Sequence, residues 1–235
     1  MIGELLPEAV VAVEAYGDDA AVDAPLYPEE RAVVARAVDK RRREFASVRQ
    51  CARHAMEKLG LEPRPVLPGE RGAPRWPEGI LGSMTHCTGY CAAALVRAGE
   101  LASLGIDAEP HEALPEGVLG AVAAPAERER VSALSAAHPS VHWDRLLFSA
   151  KEAVYKAWFP LTGRWLDFLE ADLEIRPPAA GGTTGGFRAT LLVEGPRVGD
   201  RLVRAFDGRW AAREGLLATA VAVAVPHGNA PEGTA

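Results

Sequence analysis

The stretch SLGIDAEP (residues 103–110) decides how the rest of the chain is interpreted, because it ends an apolar run with two carboxylates two residues apart. In an extended strand alternate side chains share a face, so Asp107 and Glu109 are expected to point the same way. Neighbouring acids repel unless a cation lies between them. Mg²⁺ prefers carboxylates, water and phosphate, so the pattern calls for a third acid and phosphate-binding bases elsewhere. An Asp-x-Glu pair without further acids more often marks the place where a strand runs into an acidic surface loop.

Length and composition describe an ordinary globular protein. The chain has 235 residues, of which 48% are hydrophobic, enough for one large or two small domains with a real core. No run of about 18 apolar residues is present to span a bilayer, and Glu4 and Glu8 interrupt the region where a secretory signal would lie. The three cysteines fit a reducing compartment. We therefore expect a cytoplasmic protein.

The charge is acidic overall but basic in one segment. A formal net charge of -6 argues against a general nucleic-acid binder, whose footprint is a basic domain. Between Arg36 and Lys58, by contrast, eight Lys and Arg residues stand against three acidic ones. Such a patch suits a small polyanion at least as well as a nucleic acid.

A helical pattern runs from Pro28 to about Gly60, with one apolar stripe in its second half. The stripe consists of Phe45, Val48, Ala52, Ala55, Met56 and Leu59. Arg41 and Arg49 lie four residues on either side of Phe45, at the edges of the stripe, where long side chains can present charged heads to a groove. The same arginines fit a solvated basic face at least as well when the helix is taken alone.

A Pro- and Gly-rich loop and three strands follow. Residues 63–82 contain the Gly-flanked Arg71, where backbone can approach a ligand closely, although a plain connecting loop is the alternative. Strands are predicted over 80–86, 90–96 and 101–107 as an antiparallel meander that ends on the two carboxylates. Ser83, Thr85 and His86 place small donors where the meander begins, although a single histidine is more often structural.

A second strong helix is predicted over Trp143–Phe159, with Pro160 at its end. On this helix Glu152 and Lys156 are four residues apart and share a face, with Lys151 beside them. Glu152 supplies the third acid. The alternative is an ordinary surface ion pair or a helix-capping box.

In the remaining sequence we predict a helix over 126–137 and a disordered tail over 227–235. We also predict a series of strands separated by turns, one of the turns at Asp207-Gly208. The strands are placed at 172–175, 187–193, 201–206, 210–212 and 216–225. Both halves thus show a helix followed by antiparallel strands, which hints at an internal duplication that no sequence self-similarity proves.

Three motifs occur in order: GSMTH (82–86), GIDAE (105–109) and FSAKEAVYKA (148–157). In identity and spacing they resemble the signature of the 4'-phosphopantetheinyl transferases of the surfactin-synthetase (Sfp-like) type. The likeness runs from about residue 36 to about residue 225 and is greatest to the actinobacterial members that serve polyketide and nonribosomal peptide synthases. One such motif is weak evidence, but three in register make chance a poor explanation.

The resemblance implies an α+β fold, a pseudo-twofold pair of similar α/β subdomains, each an antiparallel sheet packed with a long helix. Coenzyme A would lie in the cleft between residues 1–110 and residues 111–226. The implied reaction is Mg²⁺-dependent (or Mn²⁺-dependent) transfer of phosphopantetheine from coenzyme A to a serine of an acyl or peptidyl carrier protein, releasing adenosine 3',5'-bisphosphate. The family also implies a monomer, and the net charge and the lack of a long apolar run lead us to expect neither nucleic acid nor membrane as a partner.

The motif match also implies roles for individual residues. The metal would be held by Asp107, the carbonyl of Ala108, Glu109 and Glu152, and Glu152 would act as the base for the carrier serine, directly or through water. The pyrophosphate would be stabilised by Lys156 and Lys151. The 3'-phosphate would be bound by Arg41, Arg49, Thr85 and His86. The loop with Pro68, Gly69, Glu70 and Arg71 would lie against the adenine and phosphates, and Trp165 would line the cleft.

Two departures from the family pattern and two other functions remain open. Relatives often carry a lysine near Pro68, so that phosphate contact is expected either to be missing or to pass to Arg71, and Val48 stands where a Gly often precedes the arginine at position 49. A metal-dependent phosphohydrolase acting on coenzyme A could use the same acids and bases. A non-catalytic coenzyme A binder is the other alternative, which the presence of all three acids and both lysines disfavours.

Overall fold

A computed structural model describes residues 1–17, 24–179 and 182–226, so the predicted tail at 227–235 lies outside the described residues. Within these ranges the helices are α1 (Pro28–Val33), α2 (Asp39–Lys58), α3 (Val118–Val122), α4 (Pro125–Ala137) and α5 (Trp143–Thr162). The strands are β1 (Val11–Tyr16), β2 (Ile80–Cys87), β3 (Tyr90–Arg97), β4 (Leu101–Pro110), β5 (Ala171–Arg176), β6 (Thr184–Leu191), β7 (Arg197–Val198), β8 (Arg201–Leu202), β9 (Ala205–Arg213) and β10 (Leu216–Ala224). None of the described helices combines the length and apolar character that crossing a membrane requires.

The strands form two main antiparallel sheets that stack between the two long helices. The smaller sheet has the order β1-β3-β2 and the larger sheet has the order β4-β10-β9-β6-β5. Helix α2 packs on the smaller sheet and helix α5 on the larger one. The predicted α+β class, with antiparallel sheets each packed with a long helix, is confirmed.

Strand β3 builds two cores at once because its side chains alternate. Its odd-numbered residues from 91 to 95 pack under α2, and its even-numbered residues from 90 to 96 pack against the larger sheet. Both faces are buried, which explains why the strand has a continuous apolar sequence rather than an alternating one. The alanines on both faces leave room for the close stacking of helix, sheet and sheet.

Strand β4 does not complete the predicted meander. Strands β2 and β3 pair as expected, but β4 pairs with β10 in the larger sheet. Its other edge meets β2, where Ser83 Oγ accepts the N–H of Ile106 at 3.0 Å and Thr85 Oγ1 accepts the N–H of Ala108 at 3.0 Å. These two hydroxyls form a seam between the sheets, which we call the hydroxyl seam. By pairing, β4 belongs with the larger sheet, and the subdomain boundary after residue 110 stays a prediction.

Gly105 brings β4 directly against α5. A Cβ at this position would collide with the carbonyl oxygen of Ala153 and the backbone nitrogen of Ala157. Ser103, on the same face of β4, donates its hydroxyl to the Ala157 carbonyl at 2.7 Å. The strand that carries the first two acids and the helix that carries the third therefore touch backbone to backbone.

Three predicted element boundaries were wrong, each for a local reason. The helix predicted from Pro28 is broken at residues 34–38, between α1 and α2. Helix α5 passes Pro160, which lies in its last turn, and stops at Gly163, whose φ of 62° suits a helix terminus. The turn expected at Asp207-Gly208 lies inside β9, because Gly208 leaves space for the Phe187 ring.

Candidate active site

A cleft of about 390 Å³ opens between the two halves of the molecule. One wall comes from α2 and carries Arg41 and Arg49, while the facing wall comes from α5 and carries Glu152 and Lys156. The loop that contains Arg71 and strand β2 complete the lining. The cleft is therefore cationic on the α2 side and holds both an acid and a lysine on the α5 side.

Asp107 lies next to Lys156 and is almost completely buried. Its Oδ1 accepts hydrogen bonds from Lys156 Nζ at 2.7 Å and from Thr85 Oγ1 at 3.2 Å. Its Oδ2 is buried and has no hydrogen-bond partner among the described residues. A buried carboxylate oxygen without a donor is costly unless a water or a cation binds it. This oxygen fits a divalent cation.

Glu109 is held by an arginine that the sequence reasoning missed. Arg145 NH1 donates to Glu109 Oε2 at 3.0 Å, and the same guanidinium donates to the carbonyls of Glu112 and Ala113. Burial and the neighbouring Asp107 raise the pKa of the Glu109 carboxyl, and Arg145 opposes that shift. Helical spacing could have indicated Arg145, because residues 145, 149, 152 and 156 follow at steps of four, three and four and therefore lie on one face of the helix.

Glu152 stands between the cleft and a second cavity of about 250 Å³. Burial raises the pKa of the Glu152 carboxyl, while Lys156 lowers it and Asp107 raises it further. Among residues 1–17, 24–179 and 182–226, no group of three His, Cys, Asp or Glu side chains is close enough to hold a metal ion. The three predicted acidic ligands thus share one charged neighbourhood without converging on one point, because Arg145 holds Glu109 and Lys156 holds Asp107.

At the other end of the cleft His86 orients an arginine. Arg41 NH1 donates to His86 Nε2 at 2.7 Å. Because a guanidinium has no acceptor, this ring nitrogen carries no proton and the imidazole is neutral. Burial and the charge of Arg41 both lower the pKa of His86. The histidine therefore acts on an incoming anion chiefly through Arg41.

Arg49 is a buried cation whose orientation is fixed. Its Nε donates to the Val66 carbonyl at 3.0 Å, and its guanidinium lies 3.1 Å from the centroid of the Phe45 ring. Burial lowers the pKa of Arg49 to about 10, so it stays charged at neutral pH. No carboxylate of the described residues lies within ion-pair distance of it. A buried guanidinium in this state is suited to bind an anion.

The loop that carries Arg71 reaches across the cleft. Pro68 pairs with Pro74, and the N–H of Gly69 donates to the Ala73 carbonyl at 2.6 Å, so the loop closes on itself. Arg71 adopts a positive φ of 51° at its tip, and its guanidinium lies 5.7 Å from the centroid of the Trp165 ring. Of the predicted loop residues, Arg71 lines the cleft, whereas Pro68, Gly69 and Glu70 do not.

Two predicted phosphate-binding residues are not brought to the cleft. Lys151 Nζ donates to Glu127 Oε2 at 2.7 Å and to the carbonyls of Phe168 at 2.6 Å and Ala171 at 3.3 Å, which uses all three ammonium protons. The Thr85 hydroxyl donates to Asp107 Oδ1 and accepts the N–H of Ala108. Lys151 therefore serves a buried ion pair, and the Thr85 hydroxyl contacts the strand that carries the two acids, so the predicted phosphate roles of both residues stay predictions.

Comparison with known proteins identifies the family. A family model described as the 4'-phosphopantetheinyl transferase N-terminal domain matches residues 29–96, and the 4'-phosphopantetheinyl transferase superfamily model matches residues 103–191. The chain belongs to the 4'-phosphopantetheinyl transferase family. The predicted enzyme class is thereby confirmed, and with it coenzyme A as substrate and a divalent metal as the usual requirement of this family.

Three relatives of this transferase align over nearly its whole length. It is 58% identical over 235 residues to 4'-phosphopantetheinyl transferase Svp of Streptomyces mobaraensis, covering 99% of this chain and 93% of that protein. It is 47% identical over 227 residues to Npt of Nocardia iowensis (95% and 100% covered) and 44% identical over 225 residues to PptT of Mycobacterium tuberculosis (94% and 97% covered). The predicted resemblance to actinobacterial transferases is confirmed.

Proposed function

We propose that this transferase moves the phosphopantetheine arm of coenzyme A to a serine of apo acyl or peptidyl carrier proteins of polyketide, nonribosomal peptide or fatty-acid synthases. The observation that carries the proposal is the cleft between the halves. One wall presents the buried cation Arg49, which has no carboxylate partner among the described residues, and the facing wall presents Glu152 and Lys156, with buried Asp107 next to Lys156. Coenzyme A has the matching form, with a 3'-phosphate at one end, a pyrophosphate in the middle and an uncharged arm beyond it.

At the nucleotide end Arg49 and Arg41 would bind the 3'-phosphate. Arg49 is buried and charged, and Arg41 is oriented by neutral His86. Charge-assisted hydrogen bonds from guanidinium groups to phosphate are among the stronger polar contacts in proteins. Arg71, stacked towards Trp165, would approach the nucleotide from the loop.

At the acidic end Asp107 and Glu152 would hold a divalent cation, Mg²⁺ or Mn²⁺, with Glu109 and the Ala108 carbonyl as further ligands. The unpartnered Oδ2 of Asp107 supports this assignment. When bound, the cation supplies neutralisation of the charge that develops on the pyrophosphate. Arg145 would then have to release Glu109, or Glu109 would stay outside the ligand set.

Glu152 and Lys156 would carry the chemical step. The Glu152 carboxylate, whose pKa is raised by burial, would take the proton of the carrier serine directly or through water. The serine oxygen would form a bond to the β-phosphorus while the bond to the adenosine 3',5'-bisphosphate oxygen breaks. Lys156 Nζ would donate to the phosphate oxygens as they become more negative.

The second cavity, on the far side of Glu152, would take the pantetheine arm. It is bordered by Tyr155, Trp165, Leu166 and Phe168, which offer apolar surface of the kind an uncharged chain fills. Both walls of the site come from one chain, which supports action as a monomer.

Incubation of the protein with coenzyme A, Mg²⁺ and a panel of apo carrier proteins, read by intact mass, tests the proposal. A phosphopantetheine adduct on the carrier, with release of adenosine 3',5'-bisphosphate, is expected. Free phosphopantetheine without a carrier adduct would instead identify a phosphohydrolase. Tight coenzyme A binding without turnover on any carrier would identify a non-catalytic binder.

A further inference from the structure

A buried carboxylate lies behind the nucleotide end of the cleft without touching it. Glu30 is in the first turn of α1, after Pro28, and its Oε2 accepts the N–H of Tyr27 at 3.1 Å. The side chain is 0% exposed, so both oxygens must be satisfied inside the protein. The motifs and the proposed mechanism give this residue no role.

Two further groups satisfy Glu30. Arg53 NH1 donates to Oε2 at 3.1 Å, and the N–H of Val66 donates to Oε1 at 2.9 Å. Arg53 also donates through NH2 to the Pro25 carbonyl at 2.8 Å. Glu30 thus ties α1, α2 and the segment that leads into the Arg71 loop to one point.

Val66 transmits this attachment to the cleft. Its N–H is held by Glu30, and its carbonyl accepts the Nε of Arg49 at 3.0 Å. The next residue, Leu67, closes the base of the Arg71 loop by accepting the N–H of Arg75 at 2.9 Å. The backbone at Val66 and Leu67 therefore fixes two things: the orientation of the Arg49 guanidinium towards the cleft and the base of the Arg71 loop.

We propose that Glu30, paired with Arg53, is a positioning residue for the nucleotide end of coenzyme A. It fixes Val66, and through Val66 it fixes the direction in which Arg49 presents its guanidinium to the 3'-phosphate. The inference rests on the proposed function, since it takes Arg49 as the phosphate ligand. A displacement of a binding group by about 1 Å is enough to weaken a directed contact of this kind severely.

The second half of the chain offers a matched control. Glu127 is 1% exposed and accepts the N–H of Ala124 at 2.8 Å, Lys151 Nζ at 2.7 Å and the N–H of Leu173 at 2.8 Å. It thus has the same three kinds of donor as Glu30. None of these partners contacts Arg41 or Arg49, so Glu127→Gln makes the same chemical change without the link to the phosphate end.

The experiment compares coenzyme A with 3'-dephospho-coenzyme A as substrates for carrier loading. Wild-type protein is expected to show a higher KM for the dephospho form, and the ratio of the two KM values measures use of the 3'-phosphate. In Glu30→Gln this ratio is expected to fall about tenfold, the equivalent of one charge-assisted hydrogen bond, because Arg49 is no longer held in direction. At saturating coenzyme A, kcat is expected to stay within about threefold of wild type.

Glu127→Gln is expected to lose a similar amount of thermal stability while keeping the wild-type KM ratio. An unchanged ratio in folded Glu30→Gln, or an equal fall in Glu127→Gln, would overturn the inference. If Glu30→Gln does not fold, Arg53→Lys decides in its place, with a smaller fall expected and an unchanged ratio counting against the inference. Wild-type protein that uses both substrates equally would refute Arg49 as a 3'-phosphate ligand and with it the inference, whereas wild-type protein that loads no carrier would instead refute the proposed function.

Discussion

Helices α2 and α5 are equivalent scaffolds that carry different chemistry. Each has 20 residues, and each follows a short helix that begins Pro-x-Glu, at Pro28 in one half and at Pro125 in the other. In each half the glutamate of that short helix is buried and receives one cation from the long helix: Arg53 for Glu30 and Lys151 for Glu127. The buried ion pair is thus repeated in the two halves, as an internal duplication would predict.

Aligning the sequences of the two helices on these cations sets ARHA (52–55) against AKEA (150–153). The four alanines are completely buried, so the repeated residues are the ones that hold helix to sheet. The position after the cation differs, since it is exposed His54 in α2 and Glu152 in α5. The buried cation thus stabilises the helix packing in both halves, whereas the residue that follows it lies at the proposed active site only in α5.

The largest effect is expected from Glu152→Gln. Carrier loading should fall by about a thousandfold, since a proton acceptor is lost. The midpoint of thermal unfolding, measured with a chelator present, should rise at pH 8, because the folded-state pKa of this carboxyl lies above its unfolded value and the ionised form is therefore disfavoured by folding. The rise should shrink as the pH falls through the folded-state pKa and should be absent below the unfolded-state pKa.

His54→Gln, at the equivalent position of α2, is the control for Glu152→Gln. His54 is exposed and outside the cleft, so both the loading rate and the unfolding midpoint are expected to stay at wild-type values. Residual loading by Glu152→Gln close to the wild-type rate would contradict the role assigned to Glu152.

Lys156→Met is expected to have the next largest effect. Removal of the ammonium that lies 2.7 Å from Asp107 and faces the cleft should lower kcat/KM for carrier loading by about a hundredfold, as for loss of one donor to a developing charge. Lys58, at the matching position of α2, is exposed, and Lys58→Met should leave kcat/KM unchanged. A variant at Lys156 with wild-type kcat/KM would remove this lysine from the site.

The smallest effect on catalysis is expected from Lys151→Met. Because removal of one partner leaves Glu127 charged and buried, the free energy of unfolding should fall by roughly 3–5 kcal/mol. The KM for coenzyme A, corrected for the folded fraction, should remain within about threefold of wild type. Denaturant unfolding and steady-state kinetics measure the two quantities, and a large rise in KM at unchanged stability would restore Lys151 as a phosphate ligand.

Much of the fold follows from local patterns in the sequence. The apolar spacing around Phe45 and around Val154 predicts the buried faces of α2 and α5, because a helix repeats every few residues. The pairing of β4 with β10 has no such signal, since the two strands lie about a hundred residues apart and each is largely buried on both faces. Long-range pairing is decided by which surfaces are left to cover, and that depends on the whole chain.

The sequence predicts which residue types the site contains better than it predicts which way each side chain points. The motifs bring Asp107, Glu109 and Glu152 into one neighbourhood, and they place two lysines on the right helix. A helical spacing cannot tell which lysine faces the cleft, however, because the buried Glu127 that captures Lys151 comes from another helix. Arg145 escaped notice for the same reason, since its partner lies on a strand.

The hydroxyl seam has a consequence for the independence of the two halves. The outer edge of β4 presents backbone N–H groups of the kind that recruit a strand from another molecule. Ser83 and Thr85 cover two of these groups from a different sheet, without adding a strand. The larger sheet therefore depends on β2 of the smaller sheet to cover the edge of β4. If the two sheets separated at the hydroxyl seam, this edge would be exposed next to Asp107 and Glu109 and could pair with a strand of another molecule.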